Sequence, residues 1–342
     1  MPHAVRKIGL GAGAACMLLL LVTACSGTEA PSPAGRTSSQ TSASYPISLQ
    51  NCGRKLTIAT PPKRVVSLWQ SNTEALLALG LRDKIVATQQ AYSPYPRSVA
   101  KLAAGLKTIG SNTSFPSKEA LLSEQPDFVT GQVLDGFAFD TSQGYASVAQ
   151  LQQNGATVYG ANLCSSKDAQ NTKRWNIDSV SKTLRDYGKI FGVSAKADAV
   201  VDRLDAEKEK VVAAAKGEKP VKTAYFNGGT GPLIVLAGGI YDDLISTAGG
   251  KNVFPADAVY VSKEAFASSG AEVILVGTFP GQSFSAEKEF LQKTFPDVPA
   301  VRTGRIEEVP TRETDSSISV MVGLTKIANA LHPGLGLTVP SS

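Results

Sequence analysis

The sequence predicts an α/β protein of two small lobes with mainly parallel sheets, joined by one long backbone helix. Three observations predict it. Residues 65–88 run from a short apolar strand into a helix closed by Gly80 and out into a second strand, an order that pairs the strands in parallel through a right-handed crossover. Residues 117–131 align without a gap on residues 262–276: Ser117-Lys118-Glu119-Ala120 repeats as Ser262-Lys263-Glu264-Ala265, Ser123 matches Ser268 and Asp127 matches Glu272. A helix feeding a strand therefore recurs in each half. Between the halves, residues 194–215 put Ala197, Val200, Val201, Leu204 and Val211 on one face of an otherwise charged helix. At 1.5 Å per residue it spans roughly 30 Å, enough to connect two lobes.

The elements follow in order. Arg6 and Lys7 precede an uncharged run, Ile8 to Ala24, that suits a signal peptide over residues 1–24 better than a membrane span. Its end, Val22-Thr23-Ala24-Cys25, resembles the lipobox, where cleavage precedes a cysteine that is then acylated. Residues 25–46 are Ser-, Thr-, Pro-, Gly- and Ala-rich and read as a tether, since they carry too little apolar mass to fold. A first lobe is expected over 47–175. It opens with a hairpin read from segments 45–53 and 55–58 and continues as strand 65–68, helix 73–80, strand 84–88, helix 117–124, strand 127–130, helix 141–153 and strand 157–160. A helical linker at 176–216 holds helix 176–191, then the long helix with Ser194 as its N-cap. The second lobe, 217–342, reads as strands 222–226 and 233–236, helix 240–248, helix 262–269, strand 272–276, strand 305–309 and a final helix 315–331 stopped by His332-Pro333-Gly334.

Composition narrows function. The two His, His3 and His332, exclude a His-cluster metal site and H-E-x-x-H chemistry. No G-x-S-x-G elbow is present, so a hydrolase is disfavoured and no catalytic residue, cofactor or metal site is assigned. The 34 Lys and Arg exceed the 29 Asp and Glu too slightly to indicate a nucleic-acid partner. With Cys25 acylated and Cys16 removed, Cys52 and Cys164 remain; a disulfide is their simplest use, two buried thiols the alternative.

Several blocks occur in one order: Pro62-Lys63-Arg64-Val65-Val66-Ser67-Leu68, Thr73 to Gly80, Glu119-Ala120-Leu121-Leu122 leading to Pro126-Asp127-Phe128-Val129, Ala248 to Phe254, and Val261 to Ala265. Across residues 50–332 the chain resembles the substrate-binding lipoproteins of bacterial ABC importers for ferric siderophores and cobalamin. Asn51-Cys52-Gly53 with a second cysteine near 164 resembles an actinobacterial branch. The resemblance implies a lipid-anchored, extracytoplasmic, monomeric binding protein that is not an enzyme. Its partners would be a permease dimer with cytoplasmic ATPases. Its ligand would be a ferric siderophore-type chelate, with cobalamin or a deazaflavin-cofactor precursor as the alternative.

Ligands of open α/β sheets bind beyond the carboxyl ends of the strands. In the first lobe the strand-end candidates are Trp69, Gln70, Ser71 and Asn72, with Gln132 and Asp135; Tyr92 and Tyr95 match an aromatic ligand loop of the family. In the second lobe they are Asn227, Thr230, Thr278, Arg312 and Glu313. Trp69 offers a flat apolar face and one N–H, or else packs loop against sheet. Trp175 suits core or hinge packing. Arg312 is open to a ligand anion or to an ion pair with Glu313 or Asp315. The resemblance also implies that Glu119 and Glu264, at matched sites in the two lobes, meet arginines of the permease; the alternative is a carboxylate favouring its own helix N-terminus.

Overall fold

A computed structural model describes residues 44–341. The signal segment 1–24, acylation at Cys25 and nearly all of the 25–46 tether lie outside the described residues.

The first lobe begins with the antiparallel hairpin β1 (Ile47–Asn51) and β2 (Arg54–Ile58). It continues through β3 (Val65–Ser67), α1 (Gln70–Ala78), β4 (Ile85–Gln89), α2 (Arg97–Ala103), β5 (Thr108–Ile109), α3 (Lys118–Ser123), β6 (Phe128–Gly131), α4 (Val148–Gln153) and β7 (Thr157–Gly160). Its five-stranded sheet has the order β5-β4-β3-β6-β7, with every pair parallel. The chain winds outward from β3 to β5, then returns to the other side of β3. The reversal between β3 and β6 opens a crevice at their carboxyl ends.

Two helices follow, α5 (Asp178–Ile190) and α6 (Ser194–Ala215). The residues buried on α6 are Ala197, Val200, Val201, Leu204 and Val211, the five whose spacing marks its apolar face. The second lobe comprises β8 (Val221–Phe226), β9 (Leu233–Ile234), α7 (Gly239–Thr247), β10 (Gly250–Asn252), β11 (Tyr260–Val261), α8 (Lys263–Ala267), β12 (Val273–Val276), α9 (Phe284–Thr294), α10 (Pro299–Arg302), β13 (Ile306–Glu308) and α11 (Val320–Leu331). Its sheet, β10-β8-β12-β13, is again parallel throughout, and its reversal falls between β8 and β12. The repeated segments become α3–β6 and α8–β12, whose first residues stay 145 apart. Each helix is capped alike: the Ser117 hydroxyl accepts from Ala120 N–H and the Ser262 hydroxyl from Ala265 N–H. The acid before each strand also ties down the neighbouring central strand. Asp127 accepts from the N–H groups of Lys63 and Arg64, and Glu272 from that of Lys222.

Side chains alternate across each sheet, which sorts the core into three parts. Val66, Val129 and Val158 face an outer core in the first lobe. Ala224, Phe226, Ile274 and Val276 face an outer core in the second. Between them Val65, Phe128, Tyr225, Val273 and Leu275 join one continuous core with α5, α6 and α11. α6 packs on α5, α7 and α11, so the lobes share buried apolar area as well as a covalent bridge. Hinge opening must keep that shared core covered, which restricts it to small amplitudes. A disulfide joins Cys52, in the β1–β2 turn, to Cys164 beyond β7.

Four local expectations change. The helix expected at 141–153 is a 3-10 turn, Thr141–Gln143, broken at Gly144 in the left-handed region (φ 80°). α4 restarts only where Ser147 and Gln150 form a reciprocal capping box. The helix expected at 315–331 begins at Val320. Ahead of it, Ser316 N–H bonds the Asp315 side chain and Ser319 N–H bonds that of Ser317, a local alternative to helical bonding. The strand at 233–236 leaves the parallel sheet: β9 pairs antiparallel with β11, and Val235 bridges Phe226. Ser194 opens α6 from inside, with Val193 as the N-cap and no side-chain cap bond.

Candidate functional site

The carboxyl ends of β3, β6 and β12 and the segment that continues β9 border one cavity of about 380 Å³. Trp69 reaches it because β3 ends two residues earlier and Trp69 holds an extended backbone (φ −152°, ψ 142°) as N-cap of α1. Tyr92 comes from the loop after β4, which is pinned where Ser93 N–H donates to Gln70 Oε1 at 3.0 Å. Gln132 follows β6. The second lobe contributes Ile234 to Ala237, Tyr241 of α7, Phe279 after β12, and Asp315. Trp175 enters from the segment between the lobes. Gly239 (φ 52°) makes room for it: a Cβ there would lie 2.1 Å from the Ala169 carbonyl and 2.6 Å from the Trp175 ring.

The cavity is walled mainly by apolar and aromatic side chains. Trp69 and Tyr92 tilt against each other with centroids 5.5 Å apart, and Tyr92 meets Phe279 edge-on at 6.4 Å. Their polar ends cross from one lobe to the other. Trp69 Nε1–H donates to Asp315 Oδ2 at 2.9 Å, and the Tyr92 hydroxyl donates to the same oxygen at 2.7 Å. Ser316 N–H donates to Asp315 Oδ1 at 2.7 Å. Burial pushes the Asp315 carboxyl above its ordinary range, opposed by the hydrogen bonds from Tyr92, Trp69 and Ser316. Asn162 Nδ2–H donates to the Ser316 carbonyl at 3.0 Å, and Trp175 Nε1–H donates to the Ser316 hydroxyl. The Asp315–Ser316 corner is thus held by four side chains from beyond its own lobe.

Of the thirteen ligand candidates named from sequence, Trp69, Tyr92 and Gln132 line this cavity. Thr278 and Arg312 line an annex of about 330 Å³ that shares Tyr92 and Phe279 with it. The others lie elsewhere. Gln70, Ser71 and Asn72 are buried beneath the first-lobe crevice, where Gln70 donates to Glu74 Oε1 at 2.9 Å and Asn72 to Thr130 at 3.2 Å. Tyr95 packs against the shared core. Asp135 turns outward and accepts from Ser165 and Ser166. Asn227 is buried and accepts from Thr311, and Thr230 is exposed and lines neither cavity. Glu313 is buried, with Arg312 at 3.2 Å and Lys326 at 2.6 Å, so Arg312 takes the ion pair with Glu313.

Trp175, Phe137, Tyr241 and the 234–237 wall went unnamed as ligand contacts. They come from connecting segments, a helix face and the short strand β9 with its continuation, which lie outside the parallel sheets to which the strand-end rule applies. The legible signal was Pro232 to Ala237, an apolar run directly before Gly238-Gly239.

Glu119 and Glu264 occupy corresponding positions in the first turns of α3 and α8. Both are held below the ordinary carboxylate range, first by their own backbone N–H and then by the adjacent Ser117 or Ser262. The helix N-terminus is therefore satisfied in both copies, and both carboxylates stay at the surface.

A profile described as periplasmic binding protein matches residues 65–313. The chain is 25% identical over 335 residues to an uncharacterized ABC transporter substrate-binding lipoprotein, YvrC, of Bacillus subtilis, covering 94% of this chain and 97% of that one. Among solved structures, a periplasmic binding protein from Veillonella parvula superposes with a TM-score of 0.73 at 20% identity, covering 84% of this chain and 97% of that one. One described as an ABC-type Fe3+-hydroxamate transport system, from Saccharomonospora viridis, superposes with a TM-score of 0.68 at 20% identity, covering 84% of this chain and all of that one.

Proposed function

The chain belongs to the periplasmic binding protein family, and we propose that its interlobe cleft captures a ferric siderophore-type chelate and hands it to an ABC importer. Relatives of this chain are ABC transporter substrate-binding proteins, so a permease with its ATPases is the expected partner. The observation that carries the reading is the convergence of both tryptophans, Trp69 and Trp175, with Tyr92, Tyr241 and Phe279 on one cavity between the two sheet reversals. Cavities of roughly 300–1,000 Å³ with mainly apolar walls and a few placed polar groups are the usual form of a small-molecule site. The shared core favours a cleft that is largely formed before the ligand arrives.

Delivery is assigned to Glu119 and Glu264. Two exposed charges at matched positions on separate lobes would fix the orientation of docking on a two-fold permease. Cys25 would carry the acyl anchor that keeps the protein at the outer face of the cytoplasmic membrane.

The test is a tryptophan-fluorescence titration of the purified protein, corrected for inner-filter absorption. The probes are ferric hydroxamate, catecholate and carboxylate chelates, hydroxocobalamin and a deazaflavin precursor. Both tryptophans border the cavity, so quenching reports the cleft. Saturable quenching by one ferric class, lost in Trp69→Ala with the fold intact, supports the proposal. Tight binding of hydroxocobalamin or of the deazaflavin alone would retain capture and overturn the iron assignment.

A further inference from the structure

We propose that the cleft selects its ligand by charge: it takes a body with flat apolar surface that is neutral or cationic, and rejects anions, with Asp315 as the specificity-determining group. This rests on the reading of the cleft as the capture site. Among the described residues Asp315 is the one acidic residue in the cavity wall, and the wall contains no Lys, Arg or His. Three donors converge on it, from Trp69, Tyr92 and Ser316 N–H, an arrangement that favours the ionised carboxylate. A carboxylate has about four acceptor positions. Three are used, and the fourth is on Oδ1, which takes only the backbone N–H.

The surrounding groups do not offset this sign. Glu74 keeps its proton at neutral pH, since burial pushes its carboxyl up to about 8, and Arg312 and Lys326 are engaged by Glu313. Lys167 and Lys173 line a separate outer groove that shares only Gln170 with the cleft. The aromatic wall points the same way. Trp69, Tyr92, Trp175, Tyr241 and Phe279 line the cavity, and the face of an aromatic ring attracts a desolvated cation.

The consequence for ferric chelates follows from charge counting. Three hydroxamates, each a monoanion, neutralise Fe3+, and a pendant ammonium makes the complex cationic. Three catecholates, each a dianion, leave it at three minus. An anion entering this cleft would lose its hydration and meet a buried carboxylate with no cation in the wall, the nearby Arg312 of the annex being paired with Glu313. The geometry therefore favours a trihydroxamate-like chelate, above all one with a free amine to donate to Asp315 Oδ1.

The experiment uses one ferric trihydroxamate in three forms: with a free terminal amine, N-acetylated, and N-succinylated. Affinities are measured by titration calorimetry on the wild type, on Asp315→Asn, and on Phe279→Lys, which adds a cation at a partly exposed point of the wall. Two iron-free probes of similar flatness, N-methylacridinium and naphthalene-2-sulfonate, are titrated in parallel. The expected order is amine, then acetyl, then succinyl, with at least tenfold between the ends. Asp315→Asn should shrink that ratio to within threefold, and Phe279→Lys should shrink it from the anionic side. Ratios within one variant are compared, so a general loss of affinity does not obscure the result. A succinylated form that binds wild type as tightly as the amine, or a ratio unchanged in Asp315→Asn, overturns the proposal. If no ferric form binds but N-methylacridinium binds through Asp315, the chelate reading fails and the charge assignment stands. If the sulfonate binds better, or neither iron-free probe binds when the ferric forms also fail, the charge assignment falls.

Discussion

The two lobes share a plan and differ where it meets the ligand. Each has a parallel sheet reversing beside its first strand, and each has the same capped helix feeding the same position, α3–β6 and α8–β12. Beyond the strand ends the likeness stops. The first lobe presents donors on aromatic stems, Trp69 and Tyr92. The second presents the acceptor, Asp315, and an extended apolar edge at 234–237. The lobes also differ in bracing, because the disulfide lies in the first. A duplicated scaffold thus tolerates divergence at its loops without losing the alignment of its two crevices.

Breaking the disulfide should have the largest effect. Cys52 and Cys164 are 112 residues apart, and chain entropy for such a loop gives about 5 kcal/mol of stabilisation. Guanidinium denaturation of Cys52→Ser/Cys164→Ser should show a lower midpoint and a single transition, because the core is continuous across the lobes. Two transitions, with the first lobe melting early, would show that the lobes are less coupled than their shared core implies.

Corresponding loop positions should behave oppositely. Trp69→Ala should weaken ligand binding by roughly 30- to 100-fold, about 2–3 kcal/mol, as expected of a buried aromatic anchor. Asn227→Ala, just beyond β8, should change affinity by less than about threefold, because Asn227 sits below the cavity bonded to Thr311. Its cost should appear in stability instead, about 1–2 kcal/mol for an orphaned buried partner. Calorimetric titration and thermal melts on both variants separate the two. Equal losses of affinity would erase the distinction between a ligand wall in one lobe and a supporting loop in the other.

How much of this was legible depended on periodicity. The long helix could be read to its ends because one apolar stripe crosses a charged surface for six turns, and the same five residues are buried. The helix–strand joints could be read because they occur twice. The 141–153 and 315–331 segments misled because their apolar residues are continuous with true helices, while Gly144 and the Asp315–Ser317 side-chain bonds stop helical bonding locally. In the cleft, Trp69, Tyr92 and Gln132 follow strands and obey a positional rule. Trp175 and Asp315 acquire their roles only through contacts across 141 and 246 positions of sequence, and no local pattern encodes such a meeting.

The lobes also differ in how each treats a buried glutamate. Glu313 has Arg312 and Lys326 beside it. Glu74 has Gln70 on one oxygen, and burial pushes its carboxyl up to about 8, with the Asp315 charge adding to the rise and the Gln70 bond opposing it. Since the folded value lies above the unfolded one, this contribution to stability is complete below pH about 4.5 and is lost as pH rises through about 8. Stability should decline on the order of 5 kcal/mol across that window. Glu74→Gln should flatten the decline in denaturation curves taken at successive pH values. A slope unchanged in Glu74→Gln would move its origin to another group.

The smallest effects test the repeat itself. Ser117 and Ser262 each cap a one- or two-turn helix by accepting an N–H three residues on, and removing such a cap costs about 1 kcal/mol. If α3 and α8 are equivalent parts of one cooperative body, Ser117→Ala and Ser262→Ala should lower stability by the same amount within a few tenths of a kcal/mol, and the double variant should lose the sum. The caps lie in different lobes with no shared partner, so additivity is the expectation for distant sites. A Ser117 cost well below that of Ser262 would mean that the disulfide-braced lobe holds α3 in place without its cap. Restoring parity by adding the Cys52→Ser/Cys164→Ser change would then identify the brace as the cause, and would make bracing, rather than topology, the deeper difference between the two halves.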